Sequence, residues 1–138
     1  MATAGTGVAG CKVYLVGPMG AGKSTVARQL APRLGAEALD LDAEIERAAG
    51  RTIPEIFAAD GEAGFRAWEG RVLAEVAART VPLVVATGGG VVLAAANRRT
   101  MAETGTVVYL HADVDTLLAR TANSSRPLLQ VADPRARL

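Results

Sequence analysis

Lys23 and Ser24 close the run Gly17-Pro18-Met19-Gly20-Ala21-Gly22-Lys23-Ser24, which fits G-x-x-x-x-G-K-[ST] at every fixed position. Glycines at those places let successive backbone N–H groups turn inward around phosphate oxygens, with no Cβ in the way. Lys23 then supplies a point charge for the β- and γ-phosphates, and the Ser24 hydroxyl a ligand for Mg²⁺. The motif carries weight only between a strand and a helix. Here the apolar run 13–16 precedes it and a helical pattern, residues 25–30, follows. The start of that helix adds unpaired N–H groups and a positive dipole end. The implied ligand is a nucleoside triphosphate.

Other residues with chemical potential are spread along the chain. Asp40 and Asp42 end a short predicted strand, residues 38–42. In extended structure they project to one side. Asp42 as a cap for a helix over 43–49 explains one of the two acids. A phosphate loop needs an acidic group near its metal, and no other strand here ends in one. Thr87-Gly88-Gly89-Gly90 follows the apolar strand 83–86, where three glycines permit very close approach of a ligand to the backbone. Arg66 and Glu69, three apart on a predicted helix, can meet on one face; the plain reading is an exposed pair worth a fraction of a kcal/mol. The polar segment 121–129 carries Arg126 and has the composition of a mobile lid that excludes water from phosphoryl transfer. His111 has no metal-spaced partner and reads as structural or solvated.

These residues need a scaffold of alternating strands and helices. Strands are expected at 12–16, 38–42, 83–86 and 106–110. Helices are expected at 23–34, with Pro32 near its end and Gly35 as C-cap, and at 43–49. A capping box over Thr52-Ile53-Pro54-Glu55 opens a short helix that Asp60-Gly61 breaks. A longer helix runs over 62–79 with Phe65, Trp68, Val72, Leu73 and Val76 at helical spacing. Residues 91–104 form a helical connector with Asn97, Arg98 and Arg99 on its solvated face, and a last helix covers 113–120. The fold class is a doubly wound α/β domain with a central parallel sheet, covering residues 1–138.

Composition bounds the rest. Hydrophobic residues make up 50% and charged residues 21%, a globular balance. A net charge of +1 with scattered Arg excludes a general nucleic-acid surface. The stretch 81–96 is broken by Pro82 and three glycines, so no membrane span is expected. Residues 1–10 form a ragged start without signal-peptide features. Cys11 is alone, which excludes an internal disulfide and fits a reducing cytoplasm; it reads as a small apolar residue entering the first strand.

Taken together, the chain resembles the shikimate kinase family, small P-loop kinases of the aromatic amino-acid pathway. The resemblance rests on the phosphate loop, Asp40-Leu41-Asp42, Ile53-Pro54-Glu55-Ile56-Phe57, Gly61-Glu62 with Phe65-Arg66 and Glu69, Gly88-Gly89-Gly90, and Arg126-Pro127-Leu128-Leu129, in the family's order. It implies a P-loop NTPase three-layer α/β/α fold and ATP-dependent phosphorylation of shikimate in chorismate biosynthesis. On that resemblance Gly20, Ala21, Gly22, Lys23, Ser24 and Thr25 hold the ATP phosphates, while Ser24 and Asp40 serve Mg²⁺. Asp42 binds shikimate hydroxyls and accepts a proton, Arg66 takes the substrate carboxylate, and Glu69 orients Arg66. Gly88, Gly89 and Gly90 contact the ring, Arg120 lies against adenine, and Arg126 reaches the transferring phosphate. A cytoplasmic monomer with ATP and shikimate as partners is implied.

The chain departs from the family in two places. The segment between Arg120 and Arg126 is one residue shorter. Beyond the lid, over about 121–132, the family's second carboxylate-binding Arg, final strand and last helix are missing, and Arg135 and Arg137 do not replace that Arg. The expectation is a truncated kinase with intact nucleotide binding and impaired stability and acceptor affinity. Competing expectations are a gluconate kinase-like enzyme and a non-catalytic nucleotide-binding fragment.

Overall fold

The computed structural model describes residues 11–111. Its centre is β1 (Lys12–Val16), flanked by β3 (Leu83–Ala86) and β4 (Thr106–Tyr109), with β2 (Glu37–Asp40) beyond β3. All three pairings are parallel, with Val13 opposite Val84 on one side and Thr106 on the other. β3 is buried along its whole length, as the unbroken run Leu83-Val84-Val85-Ala86 requires of a strand covered on both faces.

Alternation along the strands divides the core in two. Leu15, Val84 and Ala86 face α1 (Lys23–Arg33), which turns Ala27 and Ala31 toward the sheet. Tyr14, Val16, Leu83 and Val85 face the opposite layer, formed by α2 (Leu41–Ala49), α3 (Ile53–Ala78) and α4 (Ala95–Thr104). Leu41, Ile45, Phe65, Leu73 and Met101 fill that side, and burying each such side chain is worth about 1.5–3 kcal/mol. Helices on both faces make the predicted three layers. No helix among the described residues is long and apolar enough to cross a membrane.

Several local expectations change. The second strand stops at Asp40, because the Asp40 carboxylate accepts hydrogen bonds from the backbone N–H groups of Asp42 (2.9 Å) and Ala43 (3.3 Å). Asp40 is therefore the cap of α2, and Asp42 sits in its first turn instead of in a strand. The capping box at Thr52 and Glu55 forms as expected, and Gly61 interrupts α3 at φ 70°, a backbone conformation that only glycine adopts at low cost. Asn97 is buried, not solvated: its side-chain amide donates to the Val91 carbonyl at 3.1 Å, tying a 3₁₀ turn (Val91–Leu93) to α4. Cys11 is exposed just ahead of β1 instead of packed. Lys12, inside the apolar strand, is buried and donates to the Arg79 carbonyl at the end of α3. The helix expected over 113–120 lies outside the described residues.

Candidate active site

Three loops meet beyond the C-terminal ends of β1, β2 and β3, where open parallel sheets bind ligands. The loop after β1 starts at Gly17, with φ 144°; a Cβ there would lie 2.5 Å from the Leu110 carbonyl oxygen. Only glycine lets the ends of β1 and β4 approach this closely, an approach fixed by the Leu110 N–H donating to Val16 at 2.8 Å. The loop then turns through Ala21 N–H to Pro18 (3.3 Å) and enters α1 with Val26 N–H to Gly22 (2.9 Å). Lys23 Nζ curls back over it, donating to the carbonyls of Gly17 (2.6 Å) and Pro18 (3.0 Å).

Ser24 and Asp40 come together here. The Ser24 hydroxyl donates to Asp40 Oδ2 at 3.3 Å, while Oδ1 of the same carboxylate caps α2. A cavity of about 270 Å³ lies over this pair, lined by Gly20, Gly22, Lys23, Ser24, Thr25, Asp40 and Asp42 and closed by Thr87, Gly88 and Gly89. Ala21 belongs to the loop but does not line the cavity. Thr87 has a part that its sequence position alone did not reveal. It is buried, and both its hydroxyl (2.8 Å) and its N–H (3.1 Å) donate to the Leu15 carbonyl, fastening the glycine run of β3 to the strand that carries the phosphate loop.

A second cavity, also about 270 Å³, adjoins the first and shares Met19, Asp42, Gly88 and Gly89 with it. Ile53, Phe57 and Phe65 give it an apolar wall, with the two phenyl rings stacked at 4.9 Å. Arg66 is its cation. The guanidinium lies 5.2 Å from the Phe65 ring centroid, donates from Nη1 to Glu69 (3.0 Å) and from Nη2 to Glu62 (3.4 Å). The Glu69 side chain is only 1% exposed, so the pair with Arg66 is not the exposed surface pair that spacing alone allowed. Burial pushes the Glu69 carboxyl above its ordinary range; the Arg66 hydrogen bond and charge pull it back, and the charge of Asp42 adds to the rise. Arg66 Nε and Glu69 Oε2 are buried with no hydrogen-bond partner among the described residues.

The glycine run touches both charged side chains. A Cβ on Gly88 would lie 3.1 Å from Asp42 Oδ1, and one on Gly90 would lie 2.5 Å from both Arg66 Nη atoms. Asp42 and Arg66 therefore rest directly on backbone. Of the predicted site residues, Gly20, Gly22, Lys23, Ser24, Thr25 and Asp40 gather in the first cavity and Arg66 and Gly90 in the second, with Asp42, Gly88 and Gly89 between them. Arg120, Arg126 and the expected lid lie outside the described residues. His111 stands near the Tyr109 ring (6.1 Å), and no cluster of three His, Cys, Asp or Glu residues able to hold a metal occurs among the described residues.

A phosphate loop following the central strand of a parallel three-layer domain, with a second cavity opening from its side, defines a P-loop kinase of the small-molecule class. Comparison with known proteins makes the assignment particular: a family model described as shikimate kinase matches residues 19–138, and the chain belongs to that family. It is 55% identical to the shikimate kinase of Acinetobacter baylyi over 91% of this chain and 70% of that protein. Against the shikimate kinase of Halorhodospira halophila it is 54% identical over 92% of this chain and 72% of that protein. A solved structure, shikimate kinase from Acinetobacter baumannii in complex with shikimate, superposes with a TM-score of 0.84 at 53% identity, covering 93% of this chain and 72% of that one. A gluconokinase from Sinorhizobium meliloti (TM-score 0.55, 17% identity) shares the fold alone.

Proposed function

We propose that this chain transfers the γ-phosphoryl group of ATP to a hydroxyl of shikimate, giving shikimate 3-phosphate, in the cytoplasm and as a monomer. The observation that carries this reading is the shared wall: Asp42, Gly88 and Gly89 line both cavities, so a triphosphate in one faces an acceptor in the other.

Ser24 and Asp40 fit Mg²⁺. They present hard oxygens 3.3 Å apart at the edge of the first cavity, and Mg²⁺ typically takes one or two such protein ligands along with water and phosphate oxygens. When bound, the ion neutralises charge on the phosphates. Lys23 exchanges its two carbonyl partners for β- and γ-phosphate oxygens, and the loop N–H groups hold the remainder. In the second cavity the stacked phenyl rings pack against the acceptor ring, and Arg66 pairs with its carboxylate while Glu69 holds the guanidinium. Asp42 accepts the proton of the attacking hydroxyl. The acceptor oxygen bonds to the γ-phosphorus as the bond to the β,γ-bridging oxygen breaks, and ADP leaves. Arg120 on adenine and Arg126 on the transferring group complete the reading. Catalysis of this kind comes from positioning and from charge placed around the phosphoryl group.

The test is a coupled assay of the 138-residue chain with ATP and Mg²⁺ over a panel containing shikimate and gluconate. Turnover with shikimate alone is expected, together with a shikimate-induced rise of the thermal midpoint in the presence of nucleotide. Turnover with gluconate but not shikimate overturns the acceptor, and nucleotide binding with no turnover on any acceptor overturns the enzyme.

A further inference from the structure

Arg66 carries two acids of opposite character. Glu69 is 1% exposed and holds Nη1 at 3.0 Å, so it is a fixed part of the cavity wall. Glu62 is 66% exposed and reaches Nη2 at 3.4 Å, the loose end of hydrogen-bond geometry. Its position has a local cause. Gly61 leaves helical geometry, so Glu62 begins the second part of α3 one turn before Arg66, in the acid-first i,i+4 order that favours an ion pair.

A guanidinium offers a carboxylate two bidentate edges, Nη1 with Nη2 and Nε with Nη2. Glu69 occupies part of the first. Among the described residues, Nε is buried without a partner and Nη2 is held only by the loose Glu62 contact. Nη2 is therefore where an incoming carboxylate meets the weakest resident partner, and Glu62 stands on it. All three residues line the second cavity.

We propose that Glu62 is a displaceable internal competitor for the acceptor carboxylate: it pairs with Arg66 until the acceptor arrives, then yields Nη2 and turns to solvent. This rests on the reading that Arg66 binds the acceptor. The exchange replaces one ion pair by another, so Glu62 lowers acceptor affinity without touching the reacting atoms. It sets the dissociation constant and leaves the chemistry alone.

Calorimetric titration of the full chain with shikimate tests this, using Glu62→Gln, Arg66→Ala and a shikimate analogue bearing a neutral carboxamide. Glu62→Gln is expected to tighten shikimate binding about two- to fivefold, the range that an exposed ion pair spans. It is expected to tighten carboxamide binding less than shikimate binding. Shikimate binding that is weakened or unaltered by Glu62→Gln, while Arg66→Ala still weakens it, overturns the competitor role alone. Shikimate binding unaffected by Arg66→Ala overturns the assignment of Arg66 itself. Equal tightening for shikimate and the carboxamide also overturns the competitor role, because a neutral amide accepts one hydrogen bond at most and gains no ion pair from the freed guanidinium.

Discussion

Arg66 and Glu69 stand one turn apart on α3, joined by a 3.0 Å hydrogen bond, with the carboxylate almost wholly out of water. The pair places a fixed positive fork at the end of the second cavity. It also leaves a mark on pH dependence.

Burial raises the Glu69 carboxyl above 4.5, with Arg66 opposing and Asp42 adding to the rise. The folded chain then holds this proton more tightly than the unfolded chain. Between 4.5 and the raised value the native state binds the extra proton, so stability falls as pH rises through that window, by at most about 1.4 kcal/mol per pH unit. Above the window the cost of burying the charge is fully present. Glu69→Gln removes the titrating group. Thermal unfolding measured at a series of pH values should show wild type gaining on the variant as pH is lowered through the window; parallel curves would refute the assignment.

Gly90→Ala should damage acceptor binding while sparing the fold. Its φ of −101° suits any residue, so the backbone carries no strain. The nearest atoms the added Cβ meets are all of the Arg66 guanidinium, both Nη at 2.5 Å and Cζ at 2.7 Å, the movable end of a long side chain. A thermal midpoint within a few degrees of wild type is expected, with shikimate affinity down about tenfold, the loss of one charge-assisted hydrogen bond. An unchanged dissociation constant would show that Arg66 tolerates displacement.

The readable parts of this fold are those whose signal is local. β1 and β3 are short apolar runs that end in glycine-rich loops, and the Thr52–Glu55 box fixes where α3 begins. Asp42 misleads because strand gives way to helix within one residue, driven by the Asp40 carboxylate turning onto the N–H groups ahead of it. Asp40 and Asp42 still share a cavity, through a capped helix start and not through strand alternation. The burial of Glu69 was unreadable for another reason. An Arg and a Glu three apart look alike on a solvated helix and in a cavity wall, and what decides is tertiary packing, which sets this pair in one cavity with a glycine run that lies distant in sequence. Asn97 is the same case, buried by contact with a carbonyl six residues earlier.

Lys23→Ala should cut phosphoryl transfer a hundredfold or more, as removal of a charged donor to the transferring group does. Its side chain is half-buried and donates to the Gly17 and Pro18 carbonyls of a surface loop outside both core clusters, so the thermal midpoint should hold. Steady-state turnover checks this; wild-type turnover would remove the loop from the mechanism.

Asp42→Asn should lower kcat and weaken shikimate use far more than it weakens ATP binding. The side chain reaches both cavities, and its backbone N–H still caps against Asp40 in the variant. Separate titrations with nucleotide and with shikimate decide it, and equal losses on both sides would contradict the division of labour between Asp40 and Asp42.

Asp40 has two tasks that one pair of substitutions can separate. Its Oδ1 caps α2 through the N–H groups of Asp42 and Ala43, and its Oδ2 accepts the Ser24 hydroxyl at the edge of the phosphate cavity. Asparagine caps a helix about as well as aspartate but carries no charge for a cation. Asp40→Asn should therefore unfold near the wild-type temperature when measured without Mg²⁺, yet need more Mg²⁺ for half-maximal turnover. Asp40→Ala loses the cap as well, which costs about 1 kcal/mol and releases the turn that positions Asp42. It should show both the raised Mg²⁺ requirement and a lower thermal midpoint. If Asp40→Asn needs no more Mg²⁺ than wild type, the carboxylate serves α2 alone, and Ser24 is left as the one protein ligand here for the ion.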